Sequence, residues 1–328
     1  MKILYIPSGF KKIYEYFDQT IMKELASLNH EVKSFNALLG VEKLQTILQI
    51  YRPNLVLTMV GMKMRQEMIT FLNKQSIPTA IWLTEDPFYI DRTLTFIDNF
   101  DYVFTIDTAA LEVYHKNGHE HCYYLPLGVN PEIYSPPLTE PQKKYDLCLV
   151  GFPYPDRVQL INLLLERTTY SILVVGAKWD QELSHQKNNR RLFIKNTWLK
   201  PEVIVSYYHQ SKIVLNTHRP YDLKENKNSQ LIINKSVNNR TFELACSGSF
   251  QLIDNKADLT DHFVEGEEII SFHNNKDFLL KVDYYLSNGK AQNEIVNNAR
   301  IKALKDHTFN RRLEKLLSVI QVNETNSK

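Results

Sequence analysis

The chain has 328 residues, 43% of them hydrophobic, enough to build sizeable cores and, by length, two domains in preference to one. Its formal net charge is +2, with Lys and Arg scattered and not run together, so the electrostatic footprint of a nucleic-acid binder is missing. No segment reads as a bilayer span or a secretory signal, and Cys122, Cys148 and Cys246 stand far apart in apolar stretches, which predicts reduced thiols and a cytoplasmic location.

In chain order, short β-rich runs at 3–7, 31–35, 55–60, 79–84, 102–106 and 122–125 are predicted strands, separated by amphipathic stretches. In the first such stretch Phe17, Ile21, Leu25 and Leu28 recur at helical spacing, with Lys23 and Glu24 off the stripe. Continuous apolar strands alternating with helices imply an α/β fold with a parallel sheet covered on both faces. Prolines crowd the segment Pro131-Glu-Ile-Tyr-Ser-Pro-Pro-Leu-Thr-Glu-Pro141 and mark a boundary. The alternation then restarts, with strands at 146–150, 171–175, 212–216, 249–253 and 268–272 and helices at 157–166, 201–209 and 277–286. The expected division is a Rossmann-like domain over 1–135, a linker over 136–144 and a second Rossmann-like domain over 145–308. A helix over 309–321 is expected to pack across the domains, and the tail over 322–328 to be disordered.

In parallel sheets ligands meet the carboxyl ends of the strands, so the residues there are the candidates. In the first half these are Ser8, Gly9, Asp86, Asp107, Gly128 and Asn130, the expected acceptor side. Asp86 could bind an acceptor or act as general base, and so could Asp107; the plainer alternative is that each caps the following helix. In the second half Gly151 follows a strand, Arg157 stands at a helix start, and His218 and Arg219 follow another strand. His218 could position phosphate or transfer a proton, or simply bond to backbone.

The segment Ser236-Val-Asn-Asn-Arg-Thr-Phe-Glu-Leu-Ala-Cys-Ser-Gly248 reads as a capped helix with a glycine stop. Asn238 or Asn239 is expected to cap it, Gly248 to end it, and Glu243, an interior acid, to need a partner. A helix start with Asn239 and Arg240 suits phosphate, and Glu243 suits sugar hydroxyls, so a nucleotide or nucleotide-sugar site is expected there. No P-loop, no Gly-x-Gly-x-x-Gly after the first strand, no His-Glu-x-x-His and no paired-cysteine motif occurs, which disfavours ATP hydrolysis, nicotinamide chemistry and structural zinc.

Six segments carry a family resemblance: Trp82-Leu-Thr-Glu-Asp-Pro87, Leu125-Pro-Leu-Gly-Val-Asn-Pro131, Leu215-Asn-Thr-His-Arg219, Asn239-Arg-Thr-Phe-Glu-Leu-Ala-Cys-Ser-Gly248, Gly266-Glu-Glu268 and His307-Thr-Phe-Asn-Arg311. Through them nearly the whole chain resembles GT-B glycosyltransferases, most closely the CgeB/YkvP-type spore-maturation glycosyltransferase-like family. The resemblance implies two Rossmann-like domains with parallel sheets facing across a cleft, a nucleotide-sugar donor, UDP-linked among the candidates, on the second, and a protein or glycan acceptor on the first. It also implies spore association and chemistry without a divalent metal or cofactor, the leaving diphosphate being stabilised by helix dipoles, Arg157, Arg219 and Arg240, with Asp86 and His218 as the catalytic candidates. Of two donor-contacting glutamates spaced eight apart in the wider group, the second falls on Glu243 and the first on Lys235. The competing readings are a non-catalytic glycan- or partner-binding module and a nucleotide-sugar epimerase.

Overall fold

The computed structural model describes residues 1–139 and 141–326, so Glu140 of the expected linker and the last two residues of the expected tail lie outside the described residues. Two compact units emerge. The first comprises Met1–Gly128, Tyr221–Ser236 and Phe309–Lys328, and the second Val129–Pro220 and Val237–Thr308.

In the first unit the strands β1 (Lys2–Ile6), β2 (Glu31–Ser34), β3 (Leu55–Met59), β4 (Thr79–Leu83), β5 (Tyr102–Thr105) and β6 (Cys122–Tyr124) form a parallel sheet in the order β2-β1-β3-β4-β5-β6. β3, β4 and β5 are buried at every position, as a sheet covered on both faces demands. Successive side chains serve opposite cores: Ile3, Tyr5, Ala80 and Trp82 join one, Leu4 and Ile6 a second, Ile81 and Leu83 a third. The Ile13–Ser27 helix buries Phe17, Ile21 and Leu25 in the first of these.

The second unit repeats the plan with β7 (Tyr145–Val150), β8 (Ile172–Val175), β9 (Leu192–Lys195), β10 (Ser211–Asn216), β11 (Gln251–Asp254) and β12 (Ile270–Phe272), ordered β12-β11-β10-β7-β8-β9 and parallel throughout. β9 was not among the predicted strands. It is an edge strand whose residues alternate between half-buried and exposed, so it lacks the continuous apolar run that betrays the others.

Three expectations about organisation change. Residues 221–236 belong with the first unit, not with the domain that surrounds them in sequence. Asp91 holds Ser229 through its N–H and hydroxyl at 2.8 and 2.9 Å, and Asp107 accepts the N–H groups of Lys235 and Ser236 at 3.0 and 3.1 Å. The C-terminal helix also belongs to the first unit, burying Phe309, Leu313, Leu316, Leu317 and Ile320 in the core shared with Trp82. It spans Phe309–Asn326, so most of the expected tail is helical.

Among the described residues no helix is long and apolar enough to cross a membrane. All three cysteines are buried free thiols, and burial pushes Cys122 and Cys148 up to about 12 and Cys246 up to about 11. Native protein is therefore expected to give almost no reaction with a thiol reagent at pH 8, and all three groups to react after unfolding; rapid labelling of a native cysteine would contradict this burial.

Candidate functional site

At the carboxyl ends of the first sheet, the residues picked from sequence are buried, Gly9 excepted. Ser8 is buried, its N–H and hydroxyl donating to the two oxygens of Asp18 at 3.1 and 2.9 Å, while the Tyr5 hydroxyl donates to Asp18 at 2.6 Å. Asp18 was missed in sequence, yet it was visible there: it stands three residues before Ile21 and so lies on the apolar stripe of its helix. Gly9 is exposed, with a left-handed φ of 71° and the Lys63 side chain packed against it. Gly128 is buried, and Asn130, counted with the second unit, uses its side-chain oxygen to accept the Glu132 N–H at 3.0 Å.

Asp86 and Asp107 differ in task. Asp107 is the cap of the Thr108–Lys116 helix, one oxygen accepting from Ala109 and Ala110 and the other from Lys235 and Ser236. Asp86 caps nothing. It is 2% exposed and accepts hydroxyl protons from Thr105 at 2.7 Å and Tyr114 at 2.8 Å, while burial, only partly opposed by those bonds, pushes its carboxyl up to about 7. The neighbouring Glu85 is only half-buried and takes a hydrogen bond from the Tyr14 hydroxyl, which also lies 3.0 Å from Thr84 Oγ1. Around it stand Phe10, its ring 5.4 Å from Tyr14, and Lys63, its ammonium 4.9 Å from the Phe10 ring. Partly or fully exposed groups at this end thus include Tyr14, Glu85, Phe10 and Lys63, of which the sequence points only to Glu85, within the segment 82–87.

In the second unit Arg157 is also an inward residue, 5% exposed. Its guanidinium donates to Thr217 Oγ1 at 2.9 Å, to the Thr217 carbonyl at 2.5 Å and to the Phe152 carbonyl at 3.0 Å, tying the ends of β7 and β10 together. Burial lowers its pKa to about 10, still fully charged at neutral pH. Gly151 exists for this contact: a Cβ there would stand 2.4 Å from Arg157 Nη1. His218 is buried with both ring nitrogens committed, Nδ1 at 2.6 Å from Asp254 Oδ1 and Nε2 accepting the Asn238 N–H at 3.1 Å. With Nε2 accepting, Nδ1 is the nitrogen that donates to Asp254. Burial works against charge on Asp254, but His218 and Lys256 outweigh it and hold the carboxyl below its ordinary range. Arg219, the next residue, is half-buried at the same strand end.

The Arg240–Cys246 helix corrects one expectation and answers another. Neither asparagine caps it: Asn238 donates to Asn216 Oδ1 at 3.0 Å, and Asn239 donates to Glu243 Oε1 at 2.6 Å from a helical backbone conformation. Capping would need an amide oxygen to accept a helix N–H, whereas the bonds made here are donated by the amide nitrogens. Gly248, at φ 70°, follows the helix as expected. Glu243 is 5% exposed and does have partners: Asn239, the Tyr134 hydroxyl and the charge of Arg240, whose Nε is 3.3 Å from the Tyr208 hydroxyl. Burial raises the pKa of Glu243, while Arg240 and Tyr134 pull it back. Lys235 belongs to the first unit, where its ammonium meets both oxygens of Glu112 at 2.6 and 2.7 Å. Among the described residues no group of three or more His, Cys, Asp or Glu side chains is placed to hold a metal ion.

A family model described as glycosyl transferase-like matches residues 157–318, the stretch that carries Arg157, His218 and Glu243. Spore protein CgeB of Bacillus subtilis (strain 168) is 35% identical over 288 residues, 88% of this chain and 88% of its own. The chain belongs to the CgeB family of glycosyltransferase-like proteins. The fold agrees with that membership. Sucrose-phosphate synthase of Thermosynechococcus elongatus is similar at TM-score 0.71 and 10% identity, covering 99% of this chain and 100% of that one. HepE of Anabaena, solved in complex with UDP and glucose, is similar at TM-score 0.64 and 11% identity over 97% of this chain and 99% of its own. Two six-stranded parallel sheets, each wrapped by helices, are the GT-B plan of these glycosyltransferases. In this CgeB-family chain Ser8, Asp86, Asp107, Arg157 and His218 are buried and bonded within the protein, while Arg219 and Glu85 are half-buried.

Proposed function

We propose that the protein transfers a glycosyl residue from a nucleoside-diphosphate sugar, UDP-linked by analogy with the UDP complex of HepE, to a hydroxyl on a protein or surface glycan of the spore. The observation that carries the reading is Glu243, a buried carboxylate held by Asn239, Tyr134 and Arg240 in the position where the wider glycosyltransferase group binds donor ribose. The donor occupies the second unit and the acceptor the first, and the reaction runs in the cytoplasm without a metal ion or cofactor. In this arrangement Arg157 shapes the loop after β7, while Arg219 faces the leaving diphosphate and offsets its developing charge. His218 orients the segment before Asn239 through its bond to the Asn238 N–H.

The test is calorimetric titration and thermal shift with a panel of nucleotides and nucleotide sugars, followed by assay of nucleotide release. Glu243→Gln, which keeps volume and leaves an acceptor for Tyr134, is expected to weaken nucleotide binding about tenfold or more, since a hydrogen bond to a charged group contributes about 1.5 to 3 kcal/mol. Unchanged binding in that variant would remove the ribose assignment. A second reading, a non-catalytic binding module, draws on Lys235, which stands where the group has an acid and is bound to Glu112; nucleotide binding without any sugar transfer or release would favour it.

A further inference from the structure

The loop after β7 is fixed from below and presents aromatic surface above. Three hydrogen bonds from Arg157, one of them to the Phe152 carbonyl, hold its course. The indole N–H of Trp179, a fully buried side chain, donates to the Gly151 carbonyl at 2.8 Å, and the Gly151 N–H donates to the Val175 carbonyl at 2.8 Å. Yet Phe152, the next residue, is 43% exposed. Its ring centroid is 5.4 Å from that of Tyr154, and the ammonium of Lys178, from the end of β8, stands 5.4 Å from the same ring. Tyr154 is itself braced by the Arg157 guanidinium at 4.8 Å. Lys178 holds a left-handed φ of 74°, a conformation that a non-glycine residue adopts at a cost and that clusters where side chains meet ligands.

We propose that Phe152, with Tyr154 and Lys178, is the platform on which the base of a nucleotide stacks, making Phe152 a specificity residue of the donor site; this rests on the donor reading given above. The chemistry is complementary in two parts. A partly exposed aromatic ring with a cation over it suits a ligand that carries a π surface and a negative charge on one short frame, and a nucleoside diphosphate does. A neutral sugar would use the ring and leave the ammonium idle; a bare anion would do the reverse. Because the loop is pinned by buried bonds and a buried indole, the ring is held in place before the ligand arrives, which lowers the ordering cost of binding.

The test compares wild type with Phe152→Ala, Phe152→Trp and Lys178→Ala, using UDP, ADP, GDP, CDP and TDP as calorimetric probes. For whichever diphosphate wild type binds best, Phe152→Ala is expected to weaken binding about tenfold or more, and Phe152→Trp to restore most of it, with the melting temperature of both close to wild type because the side chain is exposed. Lys178→Ala should weaken binding less and flatten its dependence on salt. Phe152→Ala binding within about twofold of wild type overturns the platform while leaving the donor reading intact. Wild type that binds none of the five overturns the donor reading itself, and the platform with it.

Discussion

Asp86→Asn is expected to stabilise the protein at pH 8 and to lose that advantage as the pH falls to 4. The carboxyl sits 2% exposed among Thr105, Tyr114 and Thr93, with burial raising its pKa from 3.8 to about 7. The folded chain therefore keeps the proton more tightly than the unfolded chain does. Stability from this group is fully present below pH 3.8 and is lost as the pH climbs through about 7. The rise from 3.8 to about 7 corresponds to roughly 4 kcal/mol between the two ends of that window. Asparagine does not titrate, and the surrounding hydroxyls can turn to donate to its carbonyl and accept from its amide. Denaturant titrations of both proteins across pH 4 to 8 isolate the group, because every other titration is shared. A gap that stays constant with pH would show that Asp86 is ionised in the folded protein throughout. Enclosed among Thr105, Tyr114 and Thr93, Asp86 braces the end of β4, while the Glu85 beside it is half-buried.

That pair shows what could and could not be read in advance. Strands with continuous apolar runs, such as Leu55–Met59 and Thr79–Leu83, announce themselves because burial on both faces removes polar residues from the sequence. Leu192–Lys195 does not, since an edge strand may alternate and its pairing with β8 comes from backbone bonds. The choice of strand-end residues as candidates follows from the parallel topology and was legible. Their orientation was not. Glu85 and Asp86 are adjacent and chemically alike, and only the path of the following loop decides which one faces the hydroxyls of Thr105 and Tyr114. Arg157 was read as a phosphate ligand from its place at a helix start, but the Thr217 and Phe152 acceptors that claim it lie in other segments. The docking of 221–236 on the first unit rests likewise on Asp91 and Asp107, more than a hundred residues away in sequence.

Gly176→Ala is expected to be among the most damaging small substitutions in the second unit, at about 3 to 5 kcal/mol. Gly176 ends β8 at φ 148°, where a side chain is strained, and a Cβ there would lie 2.1 Å from the Gly151 carbonyl oxygen and 2.9 Å from its carbon. Neither neighbour can yield. The Gly176 N–H donates to the Lys195 carbonyl at 2.9 Å, the Gly151 N–H to the Val175 carbonyl at 2.8 Å, and the Gly151 carbonyl is the acceptor for the Trp179 indole. Relief therefore means parting β7 from β8 at their carboxyl ends, which also releases the indole and moves the loop that carries Phe152. Gly266→Ala supplies the comparison: Gly266 has φ 87° but nothing within 4 Å of a new Cβ, so only the backbone strain remains, about 1 kcal/mol. For a unit of this size the two variants should differ in melting temperature by roughly 5 to 15 °C. Scanning calorimetry of the two alongside wild type gives the answer. Equal shifts would mean that strain alone sets the cost and that the ends of β7 and β8 can separate freely, in which case the rigid base beneath Phe152 would be lost as well.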